Sequence, residues 1–300
     1  MSADEIIRRA DISMYQSKNT GRDRVSFYDQ EMKEQLEKHT ILKSDLHSAI
    51  IDNQIKIYYQ IQINERHEPV GAEILVRWDH PVFGLLGPNQ FIPIAEESSS
   101  IYDLGHWVLD QACKQIVAWS DDPLTRDLVL SVNVSHHQFK QPDFVEQVES
   151  MINKYQIDGA KLKLELTENI DIDNVELVVR SMHALKKING LTLALDDFGT
   201  AYSSLSFLRI LPIDEIKIDQ SFMHEIPADP NISLMVKTIT DMASNFGFSV
   251  VAEGVETNEQ LEFLKNNRCF VYQGYLFSKP MPLENFYTLL QTKEYLSQLR

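Results

Sequence analysis

Two adjacent carboxylates, Asp196 and Asp197, end the apolar run Leu191-Thr-Leu-Ala-Leu, and Phe198-Gly199-Thr200 leads on to a Ser/Leu segment, Ala201 to Leu205. The alternation is that of a strand, the glycine starts a turn, and the Ser/Leu segment can begin a helix. Neighbouring aspartates repel each other. At the mouth of a sheet or barrel both stay ionised at low cost only if cations hold them, so the chemistry on offer is that of a divalent-metal site. A lone Asp-Asp pair is ordinarily a solvated strand end; recurrence of the pattern changes the reading. Glu73 closes an earlier apolar run, Asn133 ends Leu128-Val-Leu-Ser-Val, and Glu165 and Glu168 follow Leu162-Lys-Leu. Lys217 and Asp219 end Ile213-Asp-Glu-Ile, Glu253 ends Phe248-Ser-Val-Val-Ala, and Gln273 follows Phe270-Val-Tyr. These groups are carboxylate and amide oxygens with one amine. Hard oxygen donors suit Mg²⁺, Mn²⁺ or Ca²⁺ rather than zinc or copper.

Delivering such groups to one place requires many strands with a common polarity. The spacing predicts strands near 55–63, 70–77, 127–134, 161–167, 191–196, 213–219, 248–253 and 269–276, with helices between most of them. Eight strands alternating with helices form an α/β fold, a (β/α)8 TIM-like barrel, which carries its chemistry at the carboxy ends of its strands. The polar residues above fall there. Strand alternation turns Glu73 and Leu75 to one face and Ile74 to the other. Residues 54–300 are assigned to the barrel. Residues 31–53 read as a linker helix with Leu36, Ile41, Leu42, Leu46 and Ile50 as its apolar positions, and residues 1–30 as a helix, a turn at Asn19-Thr20-Gly21 and a strand, Arg24 to Tyr28.

With 43% hydrophobic and 24% charged residues the chain can bury a sizeable core. Its apolar runs fall far short of the ~18 residues that span a bilayer, and no signal-peptide pattern opens it, so a soluble, cytoplasmic fragment is expected. A net charge of −16 disfavours a nucleic-acid polymer as partner but allows a small anionic ligand if metal ions supply positive charge. Cys113 and Cys269 lack CxxC or Cys/His spacing and read as buried thiols.

Several segments match a known family in motif order: Glu73-Ile-Leu-Val-Arg77-Trp78 with His80-Pro81, Ser131-Val-Asn133-Val-Ser135, Glu165-Leu-Thr-Glu168, Asp196-Asp-Phe-Gly199, Ile216-Lys-Ile-Asp219, Ala252-Glu-Gly-Val-Glu-Thr257 and Gln273-Gly-Tyr-Leu-Phe-Ser-Lys-Pro280. Together they resemble the EAL domain over roughly residues 45–290. The resemblance implies a barrel with one antiparallel strand and a metal-dependent phosphodiesterase that opens cyclic di-GMP to linear pGpG. It implies Glu73, Asn133, Glu165 and Asp196 as ligands of one cation, and Asp196, Asp197 and Glu253 as ligands of a second. Mg²⁺ or Mn²⁺ would serve and Ca²⁺ would inhibit. Two such cations would acidify a shared water and neutralise the phosphodiester. Lys217 and Gln273 correspond to residues that position the attacking water and the scissile phosphate. Gln60 and Arg77 resemble substrate contacts, Glu168 the anchor of the loop after Asp197, and Glu256 a support behind the ligands. A homodimer formed through helices near that loop is also implied.

Arg9-Ala-Asp-Ile-Ser-Met-Tyr-Gln-Ser-Lys18 with Gly21-Arg-Asp-Arg24 resembles the carboxy-terminal end of a GGDEF domain without its signature loop. A remnant is expected, from a longer signalling protein whose upstream domains could anchor it to a membrane. The chain departs from the EAL pattern in four places. Ile74 replaces alanine and is expected to adjust packing, and Ala201 replaces a glycine in the loop after Asp197 and would stiffen or shift it. Ile61 and Ser99-Ser100 are expected to touch the rim. Taken singly, Asn133 suits a strand-end turn, Lys217 an ion pair, Gln273 a backbone contact and Arg77 a neighbouring carboxylate. His80, His136 and His137 read as structural or exposed, and Trp107 and Trp119 as core. Two competing readings are a catalytically silent cyclic-di-GMP receptor or docking module, and an unrelated barrel enzyme using Lys217 as a Schiff-base amine.

Overall fold

Ile55 to Asn64 and Pro69 to His80 are rich in β-branched and aromatic residues and pair as an antiparallel hairpin, β1 (Ile55–Asn64) and β2 (Pro69–His80), in register from Ile55 opposite Trp78 to Gln62 opposite Gly71. The computed structural model describes residues 6–7, 9–10, 13–14, 27–168, 175–188, 190–200 and 205–299. A short strand, β3 (Gly84–Leu86), folds back on β2 and has no counterpart in the sequence reading. The remaining strands are β4 (Val129–Val134), β5 (Leu162–Thr167), β6 (Thr192–Phe198), β7 (Glu215–Ile218), β8 (Ser249–Ala252) and β9 (Val271–Tyr272). They continue from β2 in parallel, and β9 closes on β1 with Ile63 opposite Tyr272. Eight strands thus form a closed ring in which β1 alone runs antiparallel to its neighbours, as expected, with β3 outside it.

The helices are α1 (Gln30–Ile51), α2 (Pro88–Glu97), α3 (Ser100–Trp119), α4 (His136–Phe139), α5 (Phe144–Tyr155), α6 (Val175–Leu185), α7 (Leu205–Leu208), α8 (Gln220–Met223), α9 (Pro230–Phe246), α10 (Asn258–Asn266) and α11 (Leu283–Thr292). Their inner stripes form the core with the outward residues of the strands. In α9, Val236, Ile239, Thr240 and Ala243 are buried at helical spacing, and Asp229 and Gly247 cap its ends. Trp119 packs between Tyr59 and Phe286, with ring centroids 5.8 and 5.9 Å away, so Trp119 is core as expected.

In α1 the buried stripe is Leu42, Leu46 and Ala49. Ile41, expected inside, is exposed, because one residue of rotation carries it off that stripe. The buried His80 accepts from Val82 N–H at Nδ1 (3.1 Å), and its Nε2 lies 3.4 Å from Asp45 of α1. His80 is therefore structural, tying α1 to the turn after β2. The last strand is shorter than expected. At Gly274 a Cβ would meet the backbone of Val255 at 2.1 Å, so the chain leaves the ladder there and crosses that loop closely. The helix expected from Ala3 to Lys18, the strand Arg24 to Tyr28 and Ala201 fall wholly or largely outside the described residues. Among the described residues no helix is long and apolar enough to cross a membrane.

Candidate active site

Inside the barrel, residues on alternate strands share a layer. Glu165 on β5 and Lys217 on β7 meet across β6, where the small Ala194, paired with Glu165, leaves room between them. Lys217 is fully buried, and its Nζ lies 2.6 Å from Glu165 Oε2, 2.6 Å from Glu253 Oε1, 3.1 Å from Asp196 Oδ1 and 3.6 Å from Glu73 Oε2. One layer deeper Lys163 and Glu215 pair at 2.6 Å, and Ser249 donates to Glu215. The strand ends dictate this convergence. Glu253 follows β8 with its N–H on Ile218 O, and Gln273 follows β9 with its N–H on Ala252 O.

Glu73 is held from two sides. Asn133 Nδ2 donates to its Oε1 (2.6 Å) and Gln273 Nε2 to its Oε2 (2.5 Å). Asp196 and Asp197, one residue apart, reach the same place through a bulge. The pairing of β6 with β7 slips between Leu195 and Phe198, and Asp197 takes φ +54°, a conformation aspartate tolerates better than most residues. Asp197 N–H donates to Asp196 Oδ1 (2.9 Å). Gly199 follows at φ +99° and its N–H donates to Glu168 Oε2 (2.9 Å), so Glu168 grips the turn after Asp197. Asp219 caps α8 through Ser221 N–H.

Glu73, Glu165, Asp196 and Glu253 face one ammonium, with Asp197 beside Asp196 and Glu253. Burial pushes the carboxyls of Glu165 and Glu253 up against the downward pull of Lys217, and burial together with Asp196 and Asp219 raises Asp197 to about 6. Burial alone would lower Lys217, but Asp196, Glu165, Glu253 and Glu73 outweigh it and hold it protonated. The cluster is short of positive charge, and it has oxygens to spare. Asp196, Asp197 and Glu253 each offer an oxygen within 4.8 Å of the others, and Glu165 Oε1 is buried without a hydrogen-bond partner. An all-oxygen donor set with an orphaned carboxylate oxygen fits hard divalent cations.

A family model of the EAL domain matches residues 43–280. This chain belongs to the EAL domain family. The bifunctional diguanylate cyclase/cyclic di-GMP phosphodiesterase MucR of Pseudomonas aeruginosa is 36% identical over 284 residues, 93% of this chain and 41% of that protein. The cyclic di-GMP phosphodiesterase NbdA of the same organism is 36% identical over 284 residues, 93% of this chain and 36% of that protein. The chain thus spans less than half the length of these relatives. Among solved structures, the PaMucR phosphodiesterase in complex with c-di-GMP matches with a TM-score of 0.79 at 36% identity, covering 82% of this chain and 99% of that one.

In this EAL barrel the cluster floors a cleft of about 690 Å³. Gln60 and Arg77 line it, with Arg77 half-buried, its guanidinium 5.4 Å from the Tyr58 ring and bonded to Val76 O rather than to a carboxylate. Glu256 is exposed at the rim, where its N–H donates to Gln260 Oε1. Ile74 is buried on the outer face, away from Glu73, as alternation requires. Ile61, expected at the rim, is fully buried in the hydrophobic core, because it alternates with Gln60 and faces the helices. Sequence reasoning also missed part of the wall. His136, half-buried at the start of α4, and Asn89, Ile92 and Pro93 of α2 line the cleft. His136, expected to be structural or exposed, reaches the cleft because α4 begins directly after β4, whereas nothing in the local spacing marks the α2 residues, which reach it only through packing.

Proposed function

We propose that this EAL barrel is a metal-dependent phosphodiesterase that hydrolyses cyclic di-GMP to linear 5′-pGpG. Glu73, Asn133, Glu165 and Asp196 would hold one divalent cation, and Asp196, Asp197 and Glu253 a second, Mg²⁺ or Mn²⁺ in each case. The observation that carries the reading is the convergence of Glu73, Glu165, Asp196 and Glu253 on the buried Lys217 at the floor of a cleft of a dinucleotide's size. Its standing beside cyclic di-GMP phosphodiesterases of 36% identity supports the substrate. When bound, the cations supply the charge that acidifies a water and neutralises phosphate oxygens.

The chain's own residues do the rest. Lys217 keeps a fixed positive charge next to the attacked phosphate, where charge grows as the phosphorus–oxygen bond to the leaving 3′-oxygen breaks. Gln273 bonds Glu73 at the cleft floor and through it positions the water and the phosphate, Arg77 and Gln60 hold the ligand at the wall, and Glu168 keeps Asp197 in place through Gly199. The GGDEF-like wording before residue 30 and pairing of two copies near the loop after Asp197 belong to the same proposal. The MucR name, which joins a cyclase to a phosphodiesterase, supports the first.

Chromatographic separation of products after incubation with cyclic di-GMP and Mg²⁺ or Mn²⁺ tests the reading, with chelator and Ca²⁺ controls. Metal-dependent pGpG is expected from the wild type, with none from Glu73→Ala. Nucleotide binding without product would instead identify a receptor, and unchanged turnover in Glu73→Ala would mean the site is misassigned.

A further inference from the structure

Gln62 lies one inward position beyond Gln60 on β1, opposite Gly71, and is almost fully buried. Because β1 runs against the other strands, that step leads away from the cleft and towards the barrel interior. Gln62 does not line the cleft, yet its Nε2 donates to Gln273 Oε1 at 2.9 Å. The other end of Gln273 is committed as well, its Nε2 giving one hydrogen to Gln60 Oε1 (3.0 Å) and one to Glu73 Oε2 (2.5 Å).

Two acceptors decide the orientation of every amide in this chain of contacts. Ser278 O can only accept, so Gln60 must turn its Nε2 there (3.0 Å) and its oxygen towards Gln273. The Glu73 carboxylate, already accepting from Asn133, takes the second hydrogen of Gln273. Gln273 Oε1 is thereby left facing inward, where it needs a donor, and Gln62 is the donor that meets it. Space for Gln62 comes from Gly71, where a Cβ would stand 3.1 Å from Gln62 Oε1 and 2.6 Å from Val129 O.

We infer that Gln62 is a positioning residue. It anchors the oxygen end of the Gln273 amide so that the nitrogen end stays on Gln60 and Glu73 at the floor of the cleft. This deepens the phosphodiesterase reading and rests on it. Gln62→Met keeps the volume and removes the donor. The amide of Gln273 could then turn, which misaligns a group beside the reacting phosphate, an effect worth about ten-fold or more in rate.

The test compares wild type, Gln62→Met and Gln62→Leu, neither of which can supply the donor, in steady-state hydrolysis of cyclic di-GMP. Side-chain amide spectra of ¹⁵N-glutamine-labelled protein are recorded in parallel, with the Gln273 signals assigned by their loss in Gln273→Leu. The expected result is kcat lowered about ten-fold or more with KM within about three-fold, little change in melting temperature, and displaced Gln273 signals. Wild-type kcat in Gln62→Met overturns the inference. So does a rate loss that leaves the Gln273 signals in place, because the effect would then not run through that amide. If Gln62→Met does not fold, Gln62→Asn, which is too short to reach Gln273, is read by the same outcomes. A wild type without activity would overturn the phosphodiesterase reading instead, and the displacement of the Gln273 signals would still decide the role of Gln62.

Discussion

Lys217 is the residue on which the charge of the site balances. Four carboxylates surround its ammonium, and the loss of one partner from a buried charge cluster is more damaging than the absence of the whole cluster would be. Lys217→Met should therefore destabilise the metal-free protein by about 3–5 kcal/mol. Millimolar Mn²⁺ should recover more stability in this variant than in the wild type, since a cation binding only the folded state raises its stability. Thermal melts with and without Mn²⁺ measure both effects, and an unchanged melting temperature in chelator would refute the charge balance described here. Arg77 illustrates the opposite case. Its sequence position suggests either a carboxylate partner or a substrate contact, and its seat over Tyr58 leaves the guanidinium facing the cleft.

At the scale of elements, the carboxy end of β6 is held in a backbone conformation that few residues adopt. Asp197 and Gly199 both take positive φ, and a Cβ at Gly199 would come within 2.8 Å of Phe222 Cζ. Gly199→Ala should cost about 2 kcal/mol or more through backbone strain and displacement of Phe222. It should also loosen the bond from Gly199 N–H to Glu168. Urea unfolding gives the stability loss, and a midpoint equal to wild type would mean that the turn relaxes freely. The strand pattern around this turn is readable from Leu191-Thr-Leu-Ala-Leu alone. The bulge is not, because it exists only in the pairing of β6 with β7.

Across the whole molecule, a chain of net charge −16 concentrates buried carboxylates at one end of its barrel with too few cations of its own. Carboxyl groups whose pKa is raised keep protons to higher pH than in water, and a cation must displace those protons to bind. With Asp197 raised to about 6 and Glu165 and Glu253 also pushed upward, metal binding should release protons and strengthen as pH rises from about 6 to 8. Titration calorimetry with Mn²⁺ in buffers of different ionisation heat reads the proton count directly. Heats independent of buffer would show that the cluster is already ionised.

The order of the polar residues Asn133, Glu165, Asp196, Asp197, Lys217, Glu253 and Gln273 was legible in the sequence because a barrel places its chemistry where apolar runs stop, whereas Glu73 lies inside β2 rather than at its end. The fold class followed from the same spacing, and so did the outward packing of Ile74. Tertiary structure alone decided which of these groups touch. Closure of the ring brings β1 and β9 together, so that Gln60 and Gln62 form one hydrogen-bonded set with Gln273, more than 200 residues further along the chain. Packing also brought α2 to the wall of the cleft, whereas the burial of Ile61 and the exposure of Ile41 follow strand alternation and helical rotation, which are local periodicities. Periodicity is a property of neighbours along the chain, whereas register, closure and helix packing depend on contacts between distant segments. No local spacing encodes those contacts.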